Sequence, residues 1–87
     1  MGSLDEARAA SATCKQQAGQ LAGQLQAAGK GVVDAQQNFR GRLGSTSNPK
    51  VVEVEARCQA AKEKVAEAIQ LLMAAGEAAS QFSAGLN

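Results

Sequence analysis

The chain has 87 residues, a formal net charge of +1 and two cysteines, and it contains no histidine, tryptophan or tyrosine. This length allows one small domain with a modest core, and two cysteines cannot build the disulfide framework of a small secreted scaffold. Without histidine, Ser-His and Cys-His catalytic pairs and histidine-ligated metal sites are excluded. We therefore predict a non-enzymatic protein that requires no metal or other cofactor.

Apolar residues recur at alternating steps of three and four through both halves of the chain. In the first half this series runs from Leu4 to Phe39, and only Ser11 is not apolar. The series in the second half runs from Val51 to Leu86. Five heptads in each half without a skip predict two α-helices packed along the series, which we call the seam. The seam comprises Leu4, Ala7, Ser11, Cys14, Ala18, Leu21, Leu25, Ala28, Val32, Ala35 and Phe39, then Val51, Val54, Cys58, Ala61, Val65, Ala68, Leu72, Ala75, Ala79, Phe82 and Leu86.

Capping residues set the expected helix ends. Ser3 followed by Glu6 is a capping-box pattern. Asn48 followed by Pro49 is typical of an N-cap and a first helical residue. These signals predict a helix over about 4–39, a turn over about 40–48 and a helix over about 49–85. The fold class is therefore all-α, an antiparallel two-helix hairpin that forms one domain over residues 1–87.

The expected first helix contains four interior glycines, including Gly29 and Gly31. Each costs about 0.5–1 kcal/mol relative to alanine. Either the helix bends or frays near Gly29, which is the favoured interpretation, or a neighbouring helix packs against the bare backbone.

A turn centred near residue 44 or 45 fixes the expected register of the hairpin. Leu25 then faces Val65, and Cys14 lies beside Ala75. Cys14 and Cys58 are separated by roughly 25 Å along the helix axis, which is far beyond the ~4.4–6.8 Å between Cα atoms of a disulfide. We expect no intramolecular disulfide and two small buried thiols on the seam.

The seam is thin, because eleven of its 22 positions are alanine, serine or cysteine. At ~25 cal/mol per Å² of apolar surface, a hairpin with such a contact is poorly stabilised alone. Near Leu72, the second helix carries apolar residues around most of its circumference. This favours packing of other helices against more than one of its sides. We therefore predict a homo- or hetero-oligomer, in the simplest form a four-helix bundle of two hairpins. The expected interface residues are Ile69, Leu71, Leu72 and Met73.

Arg40, Arg42 and Lys50 form a possible basic tip near the turn. Without stacking aromatic residues this is a weak signal for nucleic acid, and no nucleic-acid partner is predicted. No apolar run is long enough for a transmembrane segment. A lipid-surface or nucleic-acid binder is a third alternative, disfavoured because the polar faces are rich in glutamine and alanine instead of lysine. No leader is recognisable, so we expect a cytoplasmic protein or one exported without a cleavable signal peptide.

The tripeptide Phe39-Arg40-Gly41 just before the turn resembles the W-x-G motif of the early-secreted-antigen-like proteins of type VII secretion. The resemblance extends to length, hairpin layout and alanine-rich helices. It implies pairing as a homo- or heterodimeric four-helix bundle and export without a cleaved leader. The family's C-terminal export signal is a tyrosine with an acidic residue four positions later. It has no counterpart here, because the chain contains no tyrosine and the residue four positions after Phe82 is Leu86. The alternative function is an intracellular adaptor or assembly scaffold that uses the same surface.

Overall fold

The computed structural model describes residues 3–43 and 47–86, which form two α-helices. Helix α1 spans Leu4–Leu43 and helix α2 spans Pro49–Ala84. The helices pack against each other as an antiparallel hairpin, a rod with extents of 62 × 19 × 16 Å. Within the described residues, the all-α prediction and the pairing of the two helices are confirmed.

The predicted caps begin both helices. The Oγ atom of Ser3 accepts a hydrogen bond from the backbone N–H of Glu6 at 3.1 Å. The Oδ1 atom of Asn48 accepts one from the backbone N–H of Lys50 at 2.8 Å, with Pro49 as the first helical residue. Each cap satisfies an N–H group that has no partner within its helix.

Helix α1 continues four residues beyond its predicted end near residue 39, so the predicted turn of about 40–48 is too long. Two interactions favour the extension. Arg40 and Arg42 lie in the last turn, where positive charge complements the helix dipole. Arg40 also forms a 2.8 Å ion pair with Glu55 of α2. The remainder of the predicted turn includes residues 44–46, which lie outside the described residues. Helix α2 ends at Ala84, one residue before its predicted end.

Helix α1 is not interrupted at Gly29 or Gly31. A Cβ atom on Gly29 would lie 3.3 Å from Cγ1 of Val65. At Gly29, α2 therefore packs against the bare backbone of α1, which is the alternative that the sequence analysis left open. Gly76 of α2 is buried in the same way, since a Cβ atom there would lie 3.8 Å from Cβ of Ala18.

The register agrees with the predicted one at some positions and differs from it by about one helical turn at others. Val65 lies against Gly29, whereas the sequence analysis placed it opposite Leu25. At the open end, a guanidinium nitrogen of Arg8 lies 3.4 Å from the carbonyl oxygen of Leu86. Cys14 and Ala75, which the sequence analysis placed side by side, line one groove, and a Cβ atom on Gly76 would lie 3.9 Å from Cα of Lys15.

About every second seam position is exposed and does not lie in the contact between the helices. Ala18 is buried and Leu25 is half-buried. Leu21, which lies between them, and Ala28, which follows Leu25, are exposed. Their places in the contact are taken by the next residues along, Ala22 and Gly29. Ala22 and Gly29 are smaller than the seam residues they replace, and this allows the helices to approach closely.

The cysteines follow the same division. Cys58 is half-buried and Cys14 is exposed, and neither is in a disulfide. The prediction that both thiols are buried is therefore wrong for Cys14, which occupies one of the seam positions rotated away from α2.

Candidate interaction surfaces

The contact between the helices buries very little apolar surface. Ala18 and Ala22 are the buried apolar residues, at 7% and 8% exposure, and no large side chain in the described part of the chain is fully buried. A large share of the bulky apolar side chains is instead exposed. Apolar surface that is left open on this scale marks sites of interaction. The exposed large apolar residues are Leu4, Leu21, Leu43, Val52, Val54, Leu71, Met73 and Phe82.

The seam positions that rotate out of the contact gather on one side of the rod. Because the helices are antiparallel and both follow the same heptad, these positions project to the same side of the contact line. A shallow groove of about 550 Å³ on this side is lined by Ala7, Ala10, Cys14, Ala75, Ala78 and Phe82, among others. We call this side the apolar face, defined by Ala7, Cys14, Leu21, Ala28 and Ala35 of α1 and Val54, Ala61, Ala68, Ala75 and Phe82 of α2. Ala7 and Ala68 are half-buried at the edge of the contact, and the other eight are exposed.

The half of the rod near the chain ends is almost free of charge. Between residues 9 and 29 the only charged residue is Lys15, and between residues 68 and 86 the only one is Glu77. Lys15 and Glu77 line one groove together with Met73, on the side opposite to the apolar face. Asp5, Glu6 and Arg8 lie in the first two turns of α1; beyond them, the apolar face in this half of the rod contains no charged side chain.

The predicted interface residues divide between the two sides. Leu71 and Met73 are the most exposed of the four, at 70% and 64%, and two residues apart on a helix they point about 200° away from each other. Leu71 precedes Phe82 by three turns and therefore lies along the apolar face. Met73 lines the opposite groove with Leu72, and Ile69 lines the next groove along that same side.

The predicted basic tip is largely neutralised by carboxylates. Arg40 pairs with Glu55 at 2.8 Å and Lys50 pairs with Glu53 at 3.3 Å. The hydrogen bond from Arg40 lowers the pKa of the Glu55 carboxyl group. Arg42 is exposed and forms no ion pair with any residue that the structure describes.

The tripeptide that carries the family resemblance lies within helix α1. Phe39 is half-buried and Gly41 is exposed, and a Cβ atom on Gly41 would meet nothing within 4 Å. The tripeptide therefore lies in the last turns of a helix and does not form the turn between the helices.

A second groove, which the sequence analysis did not identify, lies on the side opposite to the apolar face. It has a volume of about 280 Å³ and is lined by Gly29, Lys30, Val33, Lys62, Val65 and Ile69, with Gln26 and Ala66. Most of these residues lie off the seam, so periodicity alone gives no reason to group them. The signal that was available is Gly29, where the sequence leaves open a close contact with a neighbouring helix.

Neither described helix is long and apolar enough to cross a membrane. In the same residues, no cluster of three or more cysteine, aspartate or glutamate side chains is arranged to hold a metal ion. Comparison of the chain with protein families, with curated proteins and with solved structures finds no match.

Proposed function

We propose that this chain is a non-catalytic helical interaction module that pairs through its apolar face with a second helical hairpin, either another copy or a related chain. The observation that supports this most strongly is the composition of that face. All ten seam positions that define it are apolar, and in the half of the rod near the chain ends it carries no charge beyond the first two turns of α1. Solvent-facing helix positions are normally polar, so an apolar heptad set with no partner in its own chain is typical of a helix bundle that is completed by another chain.

The energetics of the isolated hairpin favour the same proposal. Two buried alanines supply little of the ~25 cal/mol per Å² that apolar burial contributes. A face of the rod 62 Å long and 19 Å wide has a footprint on the order of 1,200 Å², above the roughly 800 Å² per partner of a standard interface. Pairing over part of that length is enough for a specific complex, and the product is a four-helix bundle.

The resemblance to the early-secreted-antigen-like hairpins suggests where such a module acts. It rests on the tripeptide Phe39-Arg40-Gly41 and on the layout of a short alanine-rich hairpin. In this version of the proposal the paired hairpins are exported together by a type VII secretion system without a cleaved leader. Fractionation of cells and culture medium tests export, since protein found only inside the cells contradicts it.

The second candidate is an intracellular adaptor or assembly scaffold. It is favoured by the groove beside Lys30 and Lys62 on the opposite side of the rod, because a chain with two separate surfaces can hold two partners. Both candidates share the pairing through the apolar face.

The mass of the native protein tests that pairing. A single chain has a mass of 8.9 kDa. For the protein isolated from its source cells without denaturation, we expect a complex of about twice that mass, as for two hairpins. The variant Leu71→Glu is expected to run as a single chain, since it places a charge in the interface. Gln70→Glu makes the same charge change at the neighbouring position on the outer edge and is expected to keep the complex. A native mass of one chain contradicts the proposal.

A further inference from the structure

We infer that the groove between Lys30 and Lys62 binds an acidic amphipathic helix of a partner protein. We call this groove the lysine groove and define it by Gly29, Lys30 and Val33 of α1 and Lys62, Val65 and Ile69 of α2. It lies on the side opposite to the apolar face, so it remains open when two hairpins pair.

The floor of the lysine groove is apolar and concave. Val33, Val65 and Ile69 are half-buried, so each leaves part of its side chain open to the groove. Gly29 has no side chain, and Val65 lies directly against its backbone. The space of about 280 Å³ above this floor is large enough for a leucine-sized side chain from outside, which is how a docked helix anchors itself.

The rims of this groove carry unpaired positive charge. Elsewhere in the described chain, Arg40, Lys50, Arg57 and Lys64 each form an ion pair with a glutamate. No ion pair or side-chain hydrogen bond involves Lys30 or Lys62 among the residues that the structure describes. Both lysines therefore have their full donor capacity available to an incoming group.

The position of Lys62 determines the charge of the occupant. Lys62 is half-buried, and a partner that covers the apolar floor removes more of its water. An ammonium group that loses water without gaining an anion is costly. An occupant that places apolar side chains on the floor must therefore place carboxylates at the rims, within reach of Lys62 and Lys30.

The shape of this side of the rod favours a helix as the occupant. A second groove follows the lysine groove toward the chain ends, lined by Lys15, Leu72, Met73 and Gly76. Lys15 and Lys30 are separated by 15 residues of continuous helix, which is roughly 22 Å. An amphipathic helix of about four turns spans this distance, with one apolar stripe toward the floor and acidic residues beside the lysines.

A flat or polyanionic partner fits less well. A membrane surface is too flat to enter a groove between two helices. Neither groove is lined by an aromatic side chain on which a base could stack. The apolar floor with two flanking cations is instead the complement of a helix that alternates leucine with glutamate.

Binding of a defined peptide to the full chain tests this inference. The probe is a capped 21-residue synthetic helix with leucine at heptad positions a and d and glutamate at e and g. Its counterpart has lysine at e and g. We expect the acidic peptide to bind, measured by fluorescence anisotropy at low salt, and the basic peptide to bind at least about tenfold more weakly. Lys62→Glu and Lys30→Glu are each expected to weaken binding by at least about fivefold. Lys50→Glu makes the same charge change outside the groove and is expected to leave binding nearly unchanged.

Methyl NMR identifies the face that the peptide occupies. We expect shifts at Val33 and Ile69 and none at Leu21 on the apolar face. The inference is overturned if the acidic peptide does not bind, if the basic peptide binds equally well, if Lys50→Glu weakens binding as much as Lys62→Glu, or if the shifts fall on the apolar face. It is also overturned if anionic lipid vesicles bind with the same dependence on Lys30 and Lys62. Because pairing of hairpins is measured separately by native mass, a failure here leaves the proposed function standing.

Discussion

Gly29 of α1 lies so close to Val65 of α2 that a Cβ atom on residue 29 would be 3.3 Å from Cγ1 of the valine. This contact lies in the floor of the lysine groove, which both residues line. It also explains why an unfavourable helix residue is present at the middle of a 40-residue helix.

The first prediction concerns this contact. In Gly29→Ala the added methyl group gains helix propensity but forces Val65 to move, and overpacking in a close contact costs about 1–3 kcal/mol. In Gly23→Ala, where a Cβ atom meets nothing within 4 Å, only the gain of about 0.5–1 kcal/mol remains. We therefore expect Gly23→Ala to raise the free energy of unfolding and Gly29→Ala to lower it or leave it unchanged. Urea denaturation followed by circular dichroism measures both, and an equal gain in the two variants contradicts the close contact.

The second prediction concerns the ion pair between Arg40 and Glu55. The hydrogen bond from Arg40 lowers the pKa of Glu55 below its value in the unfolded chain. A carboxyl group with a lowered pKa contributes stability above its unfolded pKa, and this contribution is lost as the pH falls through the folded pKa. Both partners are at the surface, so the effect is small and is screened by salt.

The measurement compares the thermal midpoints of the wild type and Glu55→Gln at pH values above and below the pKa of Glu55. We expect the wild type to be the more stable protein at neutral pH and the difference to shrink in acid. Glu77→Gln provides the control, since Glu77 forms no ion pair within the described residues. A difference for Glu55→Gln that does not change with pH would show that the ion pair is not formed in solution.

The third prediction uses Cys14, which is exposed on the apolar face. If this face pairs with another copy, Cys14 becomes covered as the protein concentration rises. In the variant Cys58→Ala, the rate of reaction of Cys14 with a maleimide is expected to fall with increasing concentration. In Cys14→Ser, the half-buried Cys58 faces α1, and its rate is expected to stay constant. Equal rates for Cys14 at all concentrations would show that the partner on this face is not a second copy.

The sequence was sufficient to predict two helices, their caps and their antiparallel pairing, because the heptad series and the residues Ser3, Asn48 and Pro49 each indicate the same structure. It was not sufficient to predict which part of the seam lies between the helices. Leu21 and Ala22 are adjacent, and either could face α2 by periodicity alone. The choice depends on how closely the helices approach, and this is set by Gly29 and Gly76, whose role appears only when the two helices are placed together.

The lysine groove could not be predicted for a related reason. Lys30 and Val33 flank Gly29 in the sequence, but their proximity to Lys62 and Ile69 depends on the register. At this point the predicted register was wrong by about one turn, since Val65 was expected opposite Leu25 and lies against Gly29. The four expected interface residues were chosen as one apolar stretch, whereas helix geometry separates Leu71 from Ile69, Leu72 and Met73.

The most direct test of the proposed function is site-specific photo-crosslinking in the source cells, with a photoreactive amino acid at position 71 and, separately, at position 70. Position 71 lies along the apolar face and position 70 on the outer edge of α2. We expect a crosslink from position 71 to a single small helical partner, either a second copy or another hairpin, and none from position 70. No crosslink from position 71, or equal crosslinking from both positions, would contradict the proposal that the apolar face is where this chain pairs.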